Sequence, residues 1–74
     1  MQTTLDQIAA GSSATIVGFA ADASPRLMEM GLLPGTRVDV VRLAPLGDPM
    51  DLRVRGFHLS IRREEAARVQ VELS

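Results

Sequence analysis

The sequence predicts a small, mainly β domain, built as a five-stranded barrel with one short helix and two helical turns. Three observations support this prediction. Short segments rich in Val, Ile and Leu alternate with polar residues, which is typical of half-buried strands. Six Gly and four Pro separate these segments at short intervals. Because 74 residues can build only one small hydrophobic core, we expect a single domain over residues 1–74.

The first predicted elements are a helical turn and a strand. In TLDQIAAG, Thr4 is a candidate N-cap with Gln7 three places on, so we expect a helix of one or two turns that ends at Gly11. The next segment, SATIVGFA, is rich in β-branched residues and predicts the first strand. Its Gly18 lacks a side chain and predicts a bend at a corner of the barrel.

A short helix is predicted over residues 25–30, between the first and second strands. Ser24 is its candidate N-cap, and Pro25 takes the first helical position, where a missing N–H costs nothing. Gly31 follows as the left-handed residue that ends the helix.

The corner MEMGLLPG, which joins this helix to the second strand, is unusually apolar. We expect Leu32 to pack against Leu27 as the apolar contact of a Schellman motif. The helix is shorter than two turns and has one inward face, so at least one of Met28 and Met30 should be exposed.

The second strand, TRVDVVRL, changes phase at Val41, which indicates a bulge. A loop with two prolines and a glycine, APLGDPM, follows it. The clearest local prediction is a hairpin in DLRVRGFHLSI with a two-residue turn at Arg55 and Gly56. The turn fixes these pairs: Val54 with Phe57, Arg53 with His58, Leu52 with Leu59, Asp51 with Ser60, and Met50 with Ile61.

The C-terminal segment predicts a helical turn and the fifth strand. Glu64 and Glu65 near the start of the turn and Arg68 at its end suit a helix dipole. The last strand then alternates, with Val69, Val71 and Leu73 inward. Five strands in this order have the layout of an SH3-like barrel. An OB-fold fits less well, because its main helix usually lies between strands three and four, where this chain has a two-residue turn.

Composition excludes several function classes. The chain has no Cys, which suits a reducing, cytoplasmic location. Its net charge is −1, with eight Arg, no Lys and nine acids, so we expect no nucleic-acid partner. No basic start precedes an apolar run and no apolar run approaches about 20 residues, so we expect neither a signal peptide nor membrane insertion. The only rings, Phe19 and Phe57, fall on core-facing positions, which argues against docking of proline-rich peptides.

Chemistry-bearing residues are few. His58 is the only histidine and shares a predicted face with Asp51 and Arg53, whereas a metal site needs several converging ligands and no arginine. Asp48 and Asp51 flank a turn and could hold a cation weakly, but turn geometry explains Asp48. No nucleophile and base are placed together. We therefore predict no enzyme, no cofactor and no metal site.

Over nearly its whole length the chain resembles a known family. The segments MGLLPGT, PLGDP, VRGFHLSIR and EEAARVQV, in this order and at these spacings, are similar to FeoA, the small cytosolic accessory protein of bacterial ferrous iron uptake. The resemblance implies an SH3-like fold and a partner, the membrane transporter FeoB with its cytosolic GTPase domain. An alternative is a metal- or effector-sensing domain, because the C-terminal domain of iron-dependent repressors shares the fold.

We predict that the apolar corner binds the partner, with arginines at its rim. The same surface could dock a second copy of the chain. The predicted contact residues are Met28, Met30, Leu32, Leu33, Arg53 and Arg55.

Overall fold

The computed structural model describes residues 2–73, which form six strands, two α-helices and one 3-10 helix. The strands are β1 Gln2–Thr4, β2 Ser13–Phe19, β3 Arg37–Leu43, β4 Met50–Val54, β5 Phe57–Ile61 and β6 Val69–Leu73. The helices are the 3-10 helix Leu5–Gln7, α1 Arg26–Glu29 and α2 Arg63–Ala66.

The six strands form one open antiparallel sheet in the order β1-β6-β2-β3-β4-β5. The prediction of five strands is therefore wrong, and α1 follows the second strand rather than the first. The strand that the prediction missed is β1, a polar segment of three residues whose extended conformation depends on pairing with β6. The predicted closure into a barrel is not seen, since β1 and β5 end the sheet unpaired with each other in the described part of the chain.

Two predicted irregularities bend the long strands. The register between β3 and β4 shifts between Val40 and Arg42, which confirms the bulge at Val41. The register between β2 and β6 shifts between Ile16 and Gly18. A Cβ at Gly18 would stand 3.0 Å from the side-chain oxygen of Gln70, so a side chain there would require the end of the Gln70 side chain to move.

The corner after α1 forms the predicted Schellman motif. The N–H of Leu32 donates to the carbonyl of Leu27 (3.1 Å), and the N–H of Gly31 donates to that of Met28 (3.0 Å). Gly31 has a φ of +97°, the left-handed conformation that this motif requires. At the other end, α1 starts one residue later than predicted, but the Ser24 hydroxyl still accepts a hydrogen bond from the N–H of Arg26 (3.2 Å).

The β4–β5 hairpin has the predicted register at all five pairs. Arg55 and Gly56 both have positive φ angles, +52° and +83°, as in a type I′ turn. This turn matches the twist of the strands and outweighs the unfavourable backbone conformation of Arg55.

The predicted cap at Thr4 is wrong. Thr4 makes no cap hydrogen bond; instead its hydroxyl contacts the carboxylate of Asp6, to which Gln7 also donates (3.1 Å). The 3-10 helix ends at Gln7 rather than near Gly11. It is held by tertiary contacts, because Leu5 is fully buried and Arg63 donates to the Asp6 carbonyl at 2.8 Å.

The core lies on one face of the curved sheet and takes side chains from every strand except β1. Leu73, the last residue of β6, was predicted to point inward, and it is 44% exposed. The buried apolar residues are Leu5, Ile8, Ala14, Ile16, Leu27, Leu32, Val38, Val40, Met50, Leu52, Val54, Ile61, Ala66, Val69 and Val71.

None of the helices described within residues 2–73 has the length and apolar character needed to span a membrane.

Candidate functional site

The structure separates the four predicted apolar contact residues into three groups. Met28 and Leu33 are 48% and 36% exposed, so both offer surface to a partner. Met30 is partly buried and packs against the core. Leu32 is fully buried, so it offers no surface to a partner in this structure. The Schellman turn directs its side chain back onto Leu27, where it caps the core instead.

A groove lies where the C-terminal end of α1 meets the β4–β5 hairpin. We call it the corner groove, and its volume is about 420 Å³. It brings together two of the predicted contact residues, Met30 and Arg55, while Met28, Leu33 and Arg53 lie outside it. The groove is lined by Glu29, Met30, Gly31, Val54, Arg55, Phe57, His58 and Leu59.

Phe57 is the main addition to the predicted surface. It was predicted to face the core, and that prediction is wrong, because its side chain is 72% exposed. Its pairing partner Val54 is buried, so the predicted register is right and only the predicted burial of Phe57 is wrong. Phe57 lies on β5, which ends the sheet, whereas Val54 lies on β4 between two strands. Alternation along a strand gives the face of a residue; only the position of β5 at the edge of the sheet could have indicated this exposure.

The predicted arginines border a second groove of about 420 Å³ on the other side of the hairpin. Arg53 and Arg55 line it together with Arg37. Arg55 donates to the hydroxyl of Thr36 at 3.3 Å, and Thr36 is almost fully buried. Arg55 thus lines both grooves and connects the apolar surface to the basic one.

One carboxylate, that of Asp39, lies in this second groove. The Ser13 hydroxyl donates to Asp39 Oδ1 at 2.6 Å, and Arg37 Nε donates to the same oxygen at 3.2 Å. The hydrogen bond from Ser13, followed by the contact with Arg37, holds the pKa of Asp39 below its usual value. Asp39 therefore stays ionised and offsets one of the three arginine charges.

The carboxylates considered for a cation have protein partners. Asp51 accepts hydrogen bonds from Ser60 (2.6 Å) and Arg42 (3.2 Å), and these lower its pKa in that order of importance. Asp48 accepts the N–H of Arg63 at the start of α2 (3.0 Å). Across residues 2–73, no three His, Cys, Asp or Glu side chains come together as a metal site would need.

Comparison with known proteins relates this chain to the FeoA domain family. Residues 3–73 match the FeoA domain family. A curated relative from Porphyromonas gingivalis, a fusion of Fe(2+) transport protein A with the Fe(2+) transporter FeoB, is 38% identical over 71 residues. These cover 93% of this chain and 8% of the fusion protein, so the chain corresponds to only a small part of that relative.

Solved structures share the fold over almost the whole chain. The FeoA-like protein of Clostridium acetobutylicum superimposes with a TM-score of 0.91 at 32% identity, covering 97% of this chain and 86% of that one. The zinc complex of Stenotrophomonas maltophilia FeoA, described as a prokaryotic SH3 domain protein, gives 0.81 at 28% identity, covering 95% and 89%. The second likeness supports the SH3-like part of the predicted fold.

Proposed function

Because this chain belongs to the FeoA domain family, we propose that it is a non-enzymatic accessory domain of ferrous iron uptake that binds a FeoB-type transporter. The observation that carries the proposal is the Porphyromonas gingivalis fusion, in which one polypeptide joins the related domain to FeoB. Fusion raises the effective concentration of one part at the other. The same proximity without fusion requires affinity, and therefore a binding surface.

The proposed surface combines the corner groove with the exposed apolar residues next to it. Met30 and Phe57 offer adaptable and aromatic contact area, and Arg55 offers a charge-assisted hydrogen bond beside them. Met28 and Leu33 extend the apolar area, and Arg53 extends the basic rim. Such a surface can hold a protein partner and regulate it without performing a reaction. We place the contact in the cytoplasm, at the transporter's GTPase domain.

A titration against the detergent-solubilised cognate FeoB-type transporter tests both the partner and the surface. We would compare the wild-type chain with Phe57→Asp and with Leu46→Asp as the matched control. Phe57 and Leu46 are 72% and 95% exposed, so neither substitution should unfold the domain. We expect Phe57→Asp to weaken binding by about tenfold or more, as for a hot-spot aromatic, and Leu46→Asp to leave it unchanged.

Three results would contradict the proposal at different levels. No binding by the wild type would remove the transporter as partner. Equal binding by Phe57→Asp would leave the partner and move the contact away from the corner groove. Ferrous iron uptake that is unchanged after deletion of the gene would contradict the accessory role itself.

Metal or effector sensing is the second candidate, and one observation favours it: the related Stenotrophomonas maltophilia protein was solved as a zinc complex. Calorimetric titration of this chain with zinc or ferrous ion tests the sensing role. Stoichiometric binding that His58→Ala abolishes would favour the sensing role. Binding too weak to saturate, or insensitive to His58→Ala, would reject it.

A further inference from the structure

The outer edge of β5 has unpaired backbone groups. In the described part of the chain, β5 ends the sheet and pairs only with β4. In a two-residue hairpin, the pair next to the turn exchanges both hydrogen bonds, and the following pair exchanges none. Val54 and Phe57 are the first pair, so the N–H and C=O of His58 point away from β4. By the same alternation, those of Ser60 also face the open edge.

This edge lacks three of the features that usually prevent pairing with another chain. Protected edges are often very short, or carry a proline or a bulge. The opposite edge of the sheet, β1, has three residues, whereas β5 has five, contains no proline and pairs with β4 without a register shift. β5 is therefore the edge better able to accept a further strand.

The corner groove adjoins this edge. Phe57 and Leu59 lie on the same face of β5, and both line the groove opposite Met30. Side chains of an added strand would alternate between the two faces of the sheet. A strand paired with His58 and Ser60 would therefore project an apolar side chain toward the groove, as in known cases of strand addition. The exposed ring of Phe57 would then be covered.

The charge around the edge indicates what kind of segment fits. Residues 53–62 contain three arginines and no acidic residue, although the whole chain has a net charge of −1. Glu29 of α1 is the one acidic residue that lines the adjoining corner groove. Arg53, Arg55 and Arg62 form no salt bridge with any described residue, whereas Arg26, Arg37, Arg42 and Arg68 each form one. Carboxylates in the added strand would complement them. A second copy would bring the same basic segment, and like charges would then oppose pairing.

We propose that β5 takes up an extended, apolar and acidic segment from the cytosolic part of the transporter as a seventh strand of the sheet. The inference rests on the proposed function and specifies how the partner is held. The backbone of His58 and Ser60 pairs with the segment, an apolar side chain enters the corner groove, and carboxylates face Arg55 and Arg62.

Two substitutions at one position separate backbone pairing from side-chain contact. His58→Ala removes the imidazole but keeps the outward N–H. His58→Pro also removes the N–H and blocks the edge, at a site where its own hairpin loses no ladder bond. In titrations with the detergent-solubilised cognate transporter, we expect His58→Pro to bind about tenfold or more weakly than His58→Ala. Both variants lack the imidazole, which lines the corner groove, so the difference between them measures the backbone alone.

The outcomes distinguish this inference from the proposed function. Wild-type binding that His58→Pro preserves would overturn strand addition and leave the transporter as partner. Absence of wild-type binding would overturn the proposed function itself. A wild-type dimer that His58→Pro converts into a monomer would assign the edge to a second copy and overturn the inference.

Hydrogen exchange decides the question if His58→Pro does not fold. In the wild-type chain, we expect the transporter to slow exchange of the His58 and Ser60 amides by about 100-fold or more, because a paired strand must open before they exchange. The amide of Phe57 is already paired with β4 and serves as the internal control. Unchanged exchange at His58 and Ser60 in the complex would overturn the inference.

Discussion

Replacing Leu32 with Ala tests whether the corner after α1 caps the core or contacts a partner. Leu32 is fully buried and packs in the Schellman turn beside Leu27. A buried Leu→Ala change costs the lost transfer free energy plus the cavity left behind, so we expect about 3 kcal/mol. A chain of 74 residues at about 0.05–0.15 kcal/mol per residue has about 4–11 kcal/mol in total. The substitution therefore removes a quarter or more of the stability.

Thermal and urea unfolding, monitored by circular dichroism, measure this loss of stability. At about 4–8 °C per kcal/mol for a domain of this size, Tm should fall by about 12–24 °C. Leu33→Ala and Leu46→Ala are matched controls, because the same atoms are removed from side chains that are 36% and 95% exposed. We expect both to unfold close to the wild type, with Leu33→Ala the more affected.

One result would refute this reasoning. If Leu32→Ala unfolds like Leu46→Ala and yet no longer binds the transporter, then Leu32 is a contact residue after all. The burial that excludes it from the binding surface would then not describe the protein in solution.

Three further predictions concern the turn, the ionisation of a carboxylate and the C-terminal helix. Gly31→Ala should lower the unfolding free energy by about 1–2 kcal/mol in urea melts through backbone strain alone, since no atom lies within 4 Å of the new Cβ. Ser60→Ala should raise the pKa of Asp51, read from its carboxyl carbon by NMR, because the lost hydrogen bond is the main cause of its lowered value. A carboxylate whose pKa is lowered by folding stabilises the fold at pH values above its unfolded-state pKa of about 3.9, and this stabilisation disappears on acidification. The unfolding free energy of Ser60→Ala should therefore be lower than that of the wild type near neutral pH, and the two should converge in acid. Arg63→Met should lower the unfolding free energy by about 1–2 kcal/mol in thermal melts, because its guanidinium joins α2 to a carbonyl of the 3-10 helix at 2.8 Å, whereas Arg62→Met, which breaks no such contact, should not.

The elements predicted correctly are those defined by neighbouring residues. The β4–β5 register follows from the turn at Arg55 and Gly56, because a two-residue turn leaves one pairing possible. The Schellman motif follows from Gly31, which permits the left-handed turn. In both cases the interacting residues are at most 11 positions apart in the chain, as Met50 and Ile61 are, so the sequence contains all the information needed.

The candidate site could be predicted only in part. The apolar corner and the arginines were identified from composition and spacing, but their arrangement was not. Phe57 was predicted to be buried and is exposed, whereas Leu32 was predicted to contact a partner and is buried. Each depends on what packs beside the residue: Phe57 lies on the edge strand β5, and the turn after α1 returns Leu32 to the core. Both are relations between elements and not properties of either segment.

The sequence by itself determined the mainly β fold, the bulge at Val41, the hairpin and the apolar corner, since periodicity and turn chemistry act over short distances. Only the tertiary structure decided that Gln2–Thr4 is a strand, because a polar segment of three residues extends only where β6 offers it a partner. The tertiary structure likewise decided which end of the sheet stays open and joined Met30 to Phe57 across the corner groove. Those contacts link residues distant in sequence, and no local pattern encodes them.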